Sequence, residues 1–527
     1  MPSDRRKYAS PRPVVVVGAG LAGMSAALGI AGRAPVFLVT KGHLGAGSTA
    51  WAQGGIAAAL GPDDSAQAHA RDTVTAGAGL GDTATANAVC ADAAGVICDL
   101  AALGVRFDRA HGELALAREG AHSLPRVVHA GGDATGRHVT EALAHSVRRA
   151  AGITLIEHCH VVNLIVDDEG VQGVRLGNGE VLAARGVVLA TGGVGHLFAR
   201  TTNPPGATAD GLALARRAGA ALADLEMVQF HPTALAVGPS PLALVSEAVR
   251  GAGGMLFDCH GDPVMAGVHP MGDLGPRDVV ARAVFRRARE TGREVVLSLA
   301  HLDATRVRAR FPEVAALCAA HGIDLAEDLV PVTPAAHYAM GGVLTDLSGR
   351  TTVPGLWAVG ECGSTGLHGA NRLASNGLLE AAVLGRRAAA DAAAGGGGPA
   401  AGPRADPIPV GVGDADSGVV RHQVGRIMWD RCGLERDAAG LGDAAERLAA
   451  LPVPADPEAA GLLEISRLMV AAATAREESR GAHFRTDFPD TDPSRAHRTC
   501  WAGDMAHDLA PVPTGMATAS IDLTEAA

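Results

Sequence analysis

The sequence predicts an α/β protein: a Rossmann-like dinucleotide-binding domain, an α+β domain inserted into it, and a C-terminal helical bundle. Three observations predict this. The apolar strand Val14–Val17 runs directly into a G-x-G-x-x-G turn (Gly18, Gly20, Gly23) that opens a helix. A second apolar run, 187–190, stops on Thr191–Gly192–Gly193 after an alternating stretch with turn residues. Beyond an Ala/Gly/Pro-rich segment, three helical patterns follow one another between 418 and 480.

Composition bounds the answer. A chain of 527 residues is long enough for two or three domains, and 47% hydrophobic content with only 3% aromatics means a core of Ala, Val and Leu. Sixty-nine glycines favour tight turns and close backbone approaches. A net charge of −11 argues against nucleic acid as a partner, which needs a basic surface. Eight scattered cysteines without a CxxC pair form no disulfide framework or metal pattern, so no metal is expected. The start, 1–13, lacks an apolar signal segment and no uninterrupted apolar run reaches about 18 residues, so a cytoplasmic protein without a membrane anchor is expected.

In order along the chain, the first motif carries the strongest chemistry. In a strand–turn–helix context Gly18 permits the tight turn, Gly20 lets pyrophosphate approach the backbone, and Gly23 lets helix pack on strand. A strand follows at 36–40, but the acid that usually ends it is replaced by Thr40–Lys41, so ribose contact falls to a hydroxyl or the backbone. The small-residue loop 45–59 could lie flat against a planar ring or be a surface loop. Residues 72–103 read as helices. The segment 117–139 concentrates Arg118, Glu119, His122, Arg126 and His129, and each charge taken singly belongs to a solvated loop. From 161 to 186 the alternation predicts a three-stranded antiparallel meander.

The region from Gln229 to Tyr338 is less clearly wound; it contains Ser246 and Glu247, and its His231, Arg277 and His337 each stand beside or near a Pro or Gly, as site residues on loops tend to. The stretch 355–380 is a strand, a glycine-rich loop bearing His368, Asn371 and Arg372, and a helix start, an arrangement suited to an anionic ligand. Residues 388–412 read as a flexible linker and the tail from Pro489 as polar and poorly ordered. The domains expected are 1–228 plus 340–408, 229–339, and 415–510.

GAGLAG, STAWAQGGIAA, QFHPT, the PRD at 276–278, HYAMGGV, GLWAVGE and GLHGANRLASNGLLE together resemble the succinate dehydrogenase/fumarate reductase flavoprotein superfamily over roughly 14–380. REGAHS at 118–123 and RGAHFRTDFP at 480–489 are similar to its aspartate-oxidising branch.

The resemblance makes the first domain FAD-binding and the second a capping domain. It implies contacts to FAD from Gly18, Ala19, Gly20, Leu21, Ala22, Gly23, Lys41, Gly47, Ser48, Thr49, Ala50, Trp51, Ala52, Gln53, Gly54, Asp210, Glu361, Ser375, Gly377 and Leu378. Ser48 stands where members with covalent flavin have histidine, so the FAD is expected to be non-covalent. Arg372 and His337 would hold one substrate carboxylate, and His231, Ser246 and Glu247 the other, with His368 to Arg372 beside it. Arg277 resembles a proton-transfer arginine, and Glu119 would recognise the ammonium that separates L-aspartate from succinate. The implied reaction is hydride transfer from Cα to FAD N5, giving iminoaspartate for NAD biosynthesis, with reoxidation by O2 or fumarate and functional coupling to quinolinate synthase. A fumarate-reducing or succinate-oxidising flavoprotein is the alternative.

Overall fold

In a computed structural model, residues 12–395 and 413–509 are described. The organising sheet is five-stranded and wholly parallel, in the order Leu356–Ala358, Gly186–Leu189, Val14–Val17, Val36–Val39, Ile153–Ile156. All-apolar strands suit this place because helices cover both faces: Val14, Val15, Val16, Val187 and Val188 are fully buried. Each such valine contributes about 1.5–3 kcal/mol through burial.

Small residues set how closely the layers approach. Helices Leu21–Ala31 and Asn376–Ala394 cross in contact, and a Cβ on Gly29 would come within 2.7 Å of the Ala389 Cβ. On Gly385 it would come within 2.6 Å of the Ala22 carbonyl oxygen. The two helices that begin at the cavity described below are thereby locked together. The expected meander is present, with Val161–Asp167, Gly170–Leu176 and Val181–Ala183 paired antiparallel.

A second layer rises from two long strands, Val228–Leu235 and Val330–Ala339, paired antiparallel and extended by Val295–Ser298 and Met255–Phe257. Helices Arg277–Thr291, Ala304–Arg310 and Pro312–Ala319 pack around it on a core of its own that includes Leu256, Val284, Leu297 and Phe311. Helices Ser417–Arg431, Ala438–Ala450 and Pro457–Ala475 form the C-terminal bundle, each N-capped by an aspartate (Asp416, Asp437, Asp456). Helix Thr83–Ala102 is long and apolar enough to cross a membrane. Here Val89, Cys90, Val96, Ile97 and Leu100 on one face are buried in the core.

Three sequence expectations are corrected. The first part of the linker expected over 388–412 is not linker, because the Asn376–Ala394 helix runs through it with Ala388, Ala389 and Ala392 buried; 396–412 lies outside the described residues. The tail is ordered where described: Arg498–Ala502 and Met505–Leu509 form a hairpin whose first strand pairs with Leu222–Ala223. Its alternation was masked by polar residues, and the pairing partner lies almost 280 residues upstream. Finally, the charges of 117–139 divide: Arg118 is exposed, as expected, whereas Glu119, His122 and Arg126 are buried. Arg126 is fully buried, its guanidinium 2.8 Å from Asp64 and 2.5 Å from Asp72, while His122 Nε2 lies 3.0 Å from the Ala374 carbonyl. Two carboxylates make that burial tolerable.

Candidate active site

A cavity of about 610 Å³ opens where the parallel sheet's C-terminal edge meets the second layer. This edge is where open α/β sheets bind ligands. Gly18 has φ +105°, and a Cβ there would sit 2.2 Å from the Ala190 carbonyl oxygen; on Gly23 it would sit 1.9 Å from the Gly18 oxygen. Gly20 is different: its only near neighbour is Thr49 Oγ1 at 3.3 Å, so it leaves an open floor at the helix start. The loop carrying Ser48–Trp51 lies across that start, with Thr49 Oγ1 accepting from the Leu21 amide at 3.0 Å. Gly23 and Ala50 are not on the cavity wall, a departure from expectation, because Gly23 is spent on strand–helix packing and the Ala50 amide turns back to the Gly47 carbonyl. The other expected cofactor residues line the cavity, Trp51 at its rim with 46% exposure.

At the end beside the second strand, Lys41 Nζ meets Asp210 Oδ2 at 3.1 Å, Thr208 Oγ1 at 2.9 Å and Glu458 Oε1 at 3.0 Å. Burial opposes its charge, but the two carboxylates outweigh burial and raise its pKa. In the middle, Glu361 accepts from the Ala339 amide at 3.0 Å, and desolvation pushes its carboxyl up to about 7. The Asn376–Ala394 helix starts at the wall through Ser375, Gly377 and Leu378.

The far end holds the charged residues. Arg277 opens its helix and places Nε 2.5 Å from Glu247 Oε2 and Nη1 3.2 Å from Gln229 Oε1. Arg372 Nη2 reaches the same Gln229 oxygen at 3.1 Å, and its guanidinium stacks on the Tyr338 ring at 4.4 Å. Gln229, fully buried, donates Nε2 to Asn371 Oδ1 at 2.8 Å and to the Arg372 carbonyl at 2.9 Å, so its oxygen is committed to the two arginines. Burial and the Arg277 charge bring Arg372 down to about 10, which leaves it a cation at neutral pH. His231 Nδ1 accepts from the Thr233 amide at 3.2 Å, so in the neutral ring the proton sits on Nε2, a buried atom without a hydrogen-bond partner. Burial, then Arg277, hold His231 well below 6.5 and therefore neutral. His337 lies alongside, ring centroids 5.1 Å apart, its Nδ1 2.9 Å from Thr202 Oγ1. Ser246 caps the short helix Glu247–Gly251 at the same wall.

Opposite this cationic end stands Glu119. Its Oε2 accepts from Ser375 Oγ at 2.7 Å; its Oε1 has only His129 Nε2 at 3.5 Å and no hydrogen bond. Burial would raise this carboxyl, but His129, Ser375 and Arg277 bring it down to about 2, so it is an anion. Two guanidinium cations, a neutral imidazole N–H and one carboxylate with an unused oxygen fit a dicarboxylate that also carries one ammonium.

His368 and Asn371 do not join the wall. His368 Nε2 lies 2.8 Å from Glu380 Oε2, behind Tyr338, whose hydroxyl donates to the same carboxylate at 3.1 Å. Asn371 is spent on Gln229. The buried Glu380 carboxylate already pairs with His368. Conversely, Gln229 and Tyr338 belong to the site without having been singled out. Gln229 could have been found, because in a strand it lies two residues from His231 and hence on the same face. Glu458 gives no sequence signal, lying 417 positions from Lys41.

The cavity fits FAD. Gly20, Gly47 and Gly54 leave its walls open, a Cβ on each meeting nothing closer than 3.3 Å, as a ring and a pyrophosphate require. The buried Gln53 Oε1 also lacks a partner. Among the described residues no cluster of His, Cys, Asp or Glu is arranged to hold a metal.

Comparisons with known proteins agree. The FAD binding domain family matches residues 13–378, and the fumarate reductase flavoprotein C-terminal family matches 457–521. The chain is 45% identical to the L-aspartate oxidase of Streptomyces coelicolor, covering 92% of this chain and 90% of that one. It is 46% identical to that of Agrobacterium fabrum, covering 94% and 95%. Among solved structures, the E. coli quinol fumarate reductase flavoprotein FrdA superposes with a TM-score of 0.85 at 29% identity, covering 94% of this chain and 96% of that one. Mycobacterium smegmatis Sdh1 superposes at 0.78 and 31%, covering 95% of each. A shared fold, matched family profiles and 45–46% identity over nearly the full length lead to one conclusion: the chain belongs to the L-aspartate oxidase family of FAD-dependent flavoproteins.

Proposed function

We propose the following division of labour for the family's reaction, oxidation of L-aspartate to iminoaspartate, the first step of NAD biosynthesis. Non-covalent FAD, held by the Gly18–Ala22 turn, Lys41, the 47–54 loop, Asp210, Glu361 and the start of the 376–394 helix, supplies the two-electron acceptor. Arg372 and His337 bind one substrate carboxylate; His231, through Nε2–H, binds the other with Ser246 and Glu247 beside it. Gln229 fixes both guanidinium groups by accepting from each. Glu119 binds the ammonium through Oε1. A carboxyl held near 2 is a poor base, so Glu119 recognises the amino group and does not carry its proton away. Arg277 relays the proton that leaves with the hydride, passing one of its own N–H protons to Glu247 Oε2 at 2.5 Å as it takes up the new one, with Arg250 behind that carboxylate at 3.9 Å.

Either O2 or fumarate serves as acceptor, the product passes to quinolinate synthase, and a cytoplasmic location fits the unbridged thiols of Cys90, Cys98, Cys159, Cys259, Cys318, Cys362 and Cys432. The segment 229–339 acts as the capping domain over a FAD-binding body of 1–228 plus 340–408, with 415–510 as the helical domain.

The unused oxygen of Glu119 carries this reading, because the dicarboxylate clamp alone would accept succinate equally well. Glu119→Gln keeps the shape and removes the charge. It is expected to lower kcat/KM for L-aspartate by roughly 10- to 100-fold, the value of one charged hydrogen bond, while fumarate reduction by an artificial donor falls less than about threefold. Equal losses in both assays would remove Glu119 from the amino-group role.

A further inference from the structure

The strand Val36–Val39 ends without the acid that normally meets the adenosine ribose of a dinucleotide, and Lys41 stands there instead. A carboxylate is nevertheless present at that spot, and it arrives from a different part of the chain. Glu458 is the second residue of the Pro457–Ala475 helix in the C-terminal bundle. Its Oε1 lies 3.0 Å from Lys41 Nζ and accepts from Thr208 Oγ1 at 2.5 Å, and its side chain is on the cavity wall. Its Oε2 faces Arg421, from another helix of the bundle, at 3.6 Å. Asp210 completes the ring on the far side of Lys41.

We propose that Glu458 is a cofactor-site residue: it replaces the missing acid of the second strand and, by clamping Lys41 between itself and Asp210, builds the adenosine-ribose end of the FAD site out of the C-terminal bundle. Three observations carry this. The helix start is fixed, because Asp456 caps it and also binds Arg421 at 2.6 Å, so Glu458 approaches on a rigid element. Lys41 is about one-quarter exposed and would otherwise be free to swing into solvent. Lys41, Thr208, Asp210 and Glu458 together make a polar cluster whose carboxylate oxygens can accept from ribose hydroxyls. The bundle therefore contributes to cofactor retention as well as to packing. This rests on the FAD reading above, and wild-type binding of FAD tests that reading separately.

The test is a titration of apoprotein with FAD, ADP and FMN, followed by flavin fluorescence for FAD and FMN and by competition for ADP. ADP probes the adenosine half and FMN the flavin half. Glu458→Ala and the isosteric Glu458→Gln are each expected to weaken FAD and ADP by roughly 10-fold, as expected for a lost charged hydrogen bond, with FMN unchanged. In a Lys41→Met background the further loss from Glu458→Ala should fall below about threefold, because the two residues act as one clamp. Unchanged ADP and FAD affinity in Glu458→Gln, or equal weakening of ADP and FMN in either variant, would overturn the proposal and leave Glu458 a packing residue.

Discussion

Replacing Arg277 by leucine is expected to cut kcat for L-aspartate by roughly 10²–10⁴-fold, the usual contribution of a positioned proton-transfer group, with FAD still bound at full stoichiometry. The cofactor half of the cavity does not touch this side chain; its contacts are Glu247 and Gln229. Leucine also leaves the Glu247 carboxylate buried with only Arg250 at 3.9 Å, so the folded protein should lose about 3–5 kcal/mol, as when one partner of a buried pair is removed. Arg277→Lys separates the two effects. It keeps a cation beside Glu247 and should recover much of the stability, yet the ammonium cannot span both Glu247 and Gln229 and turnover should stay low. Recovery of kcat with lysine would mean that charge alone matters at this position.

Arg372→Leu should act on binding. This guanidinium stacks on Tyr338 and keeps a buried Nε without a partner, so a substrate carboxylate is its natural counter-ion. Its removal is expected to lower kcat/KM by about 2–5 kcal/mol, roughly 30- to several-thousand-fold, as for truncating a buried hydrogen-bonded charge pair. Most of the loss should appear as raised Kd for L-aspartate and for fumarate alike, read from spectral titration of the bound flavin. Loss for L-aspartate alone would mean that Arg372 does not hold a carboxylate common to both ligands and would contradict its assignment.

Most of the fold and much of the site were legible where local chemistry is unambiguous. Gly18, Gly20 and Gly23 sit between an all-valine strand and a helix, and few conformations satisfy that pattern. His231, Arg277, His337 and Arg372 drew attention beside or near Pro or Gly, although His231 and His337 lie in long strands and not, as expected, on loops. What failed was anything decided by a distant partner. His368 looked identical in kind to Arg372, but Glu380, twelve residues on, claims it. Arg126 looked solvated because Asp64 and Asp72, which neutralise it, lie more than fifty positions upstream. Gln229 is neutral and so drew no attention, although it holds both arginines. Glu458 and the 498–509 hairpin depend on contacts across hundreds of residues, which no periodicity encodes.

In the proposed reading a dicarboxylate clamp becomes selective for an amino acid through Glu119 Oε1, which makes no hydrogen bond and has His129 Nε2 at 3.5 Å. Anaerobic bleaching of the bound flavin tests it most directly, with L-aspartate and succinate mixed separately against wild type and Glu119→Gln. L-Aspartate should bleach wild type rapidly and succinate should not, and Glu119→Gln should slow the L-aspartate reaction by at least about 10-fold. Bleaching of wild type by succinate but not by L-aspartate would contradict the account.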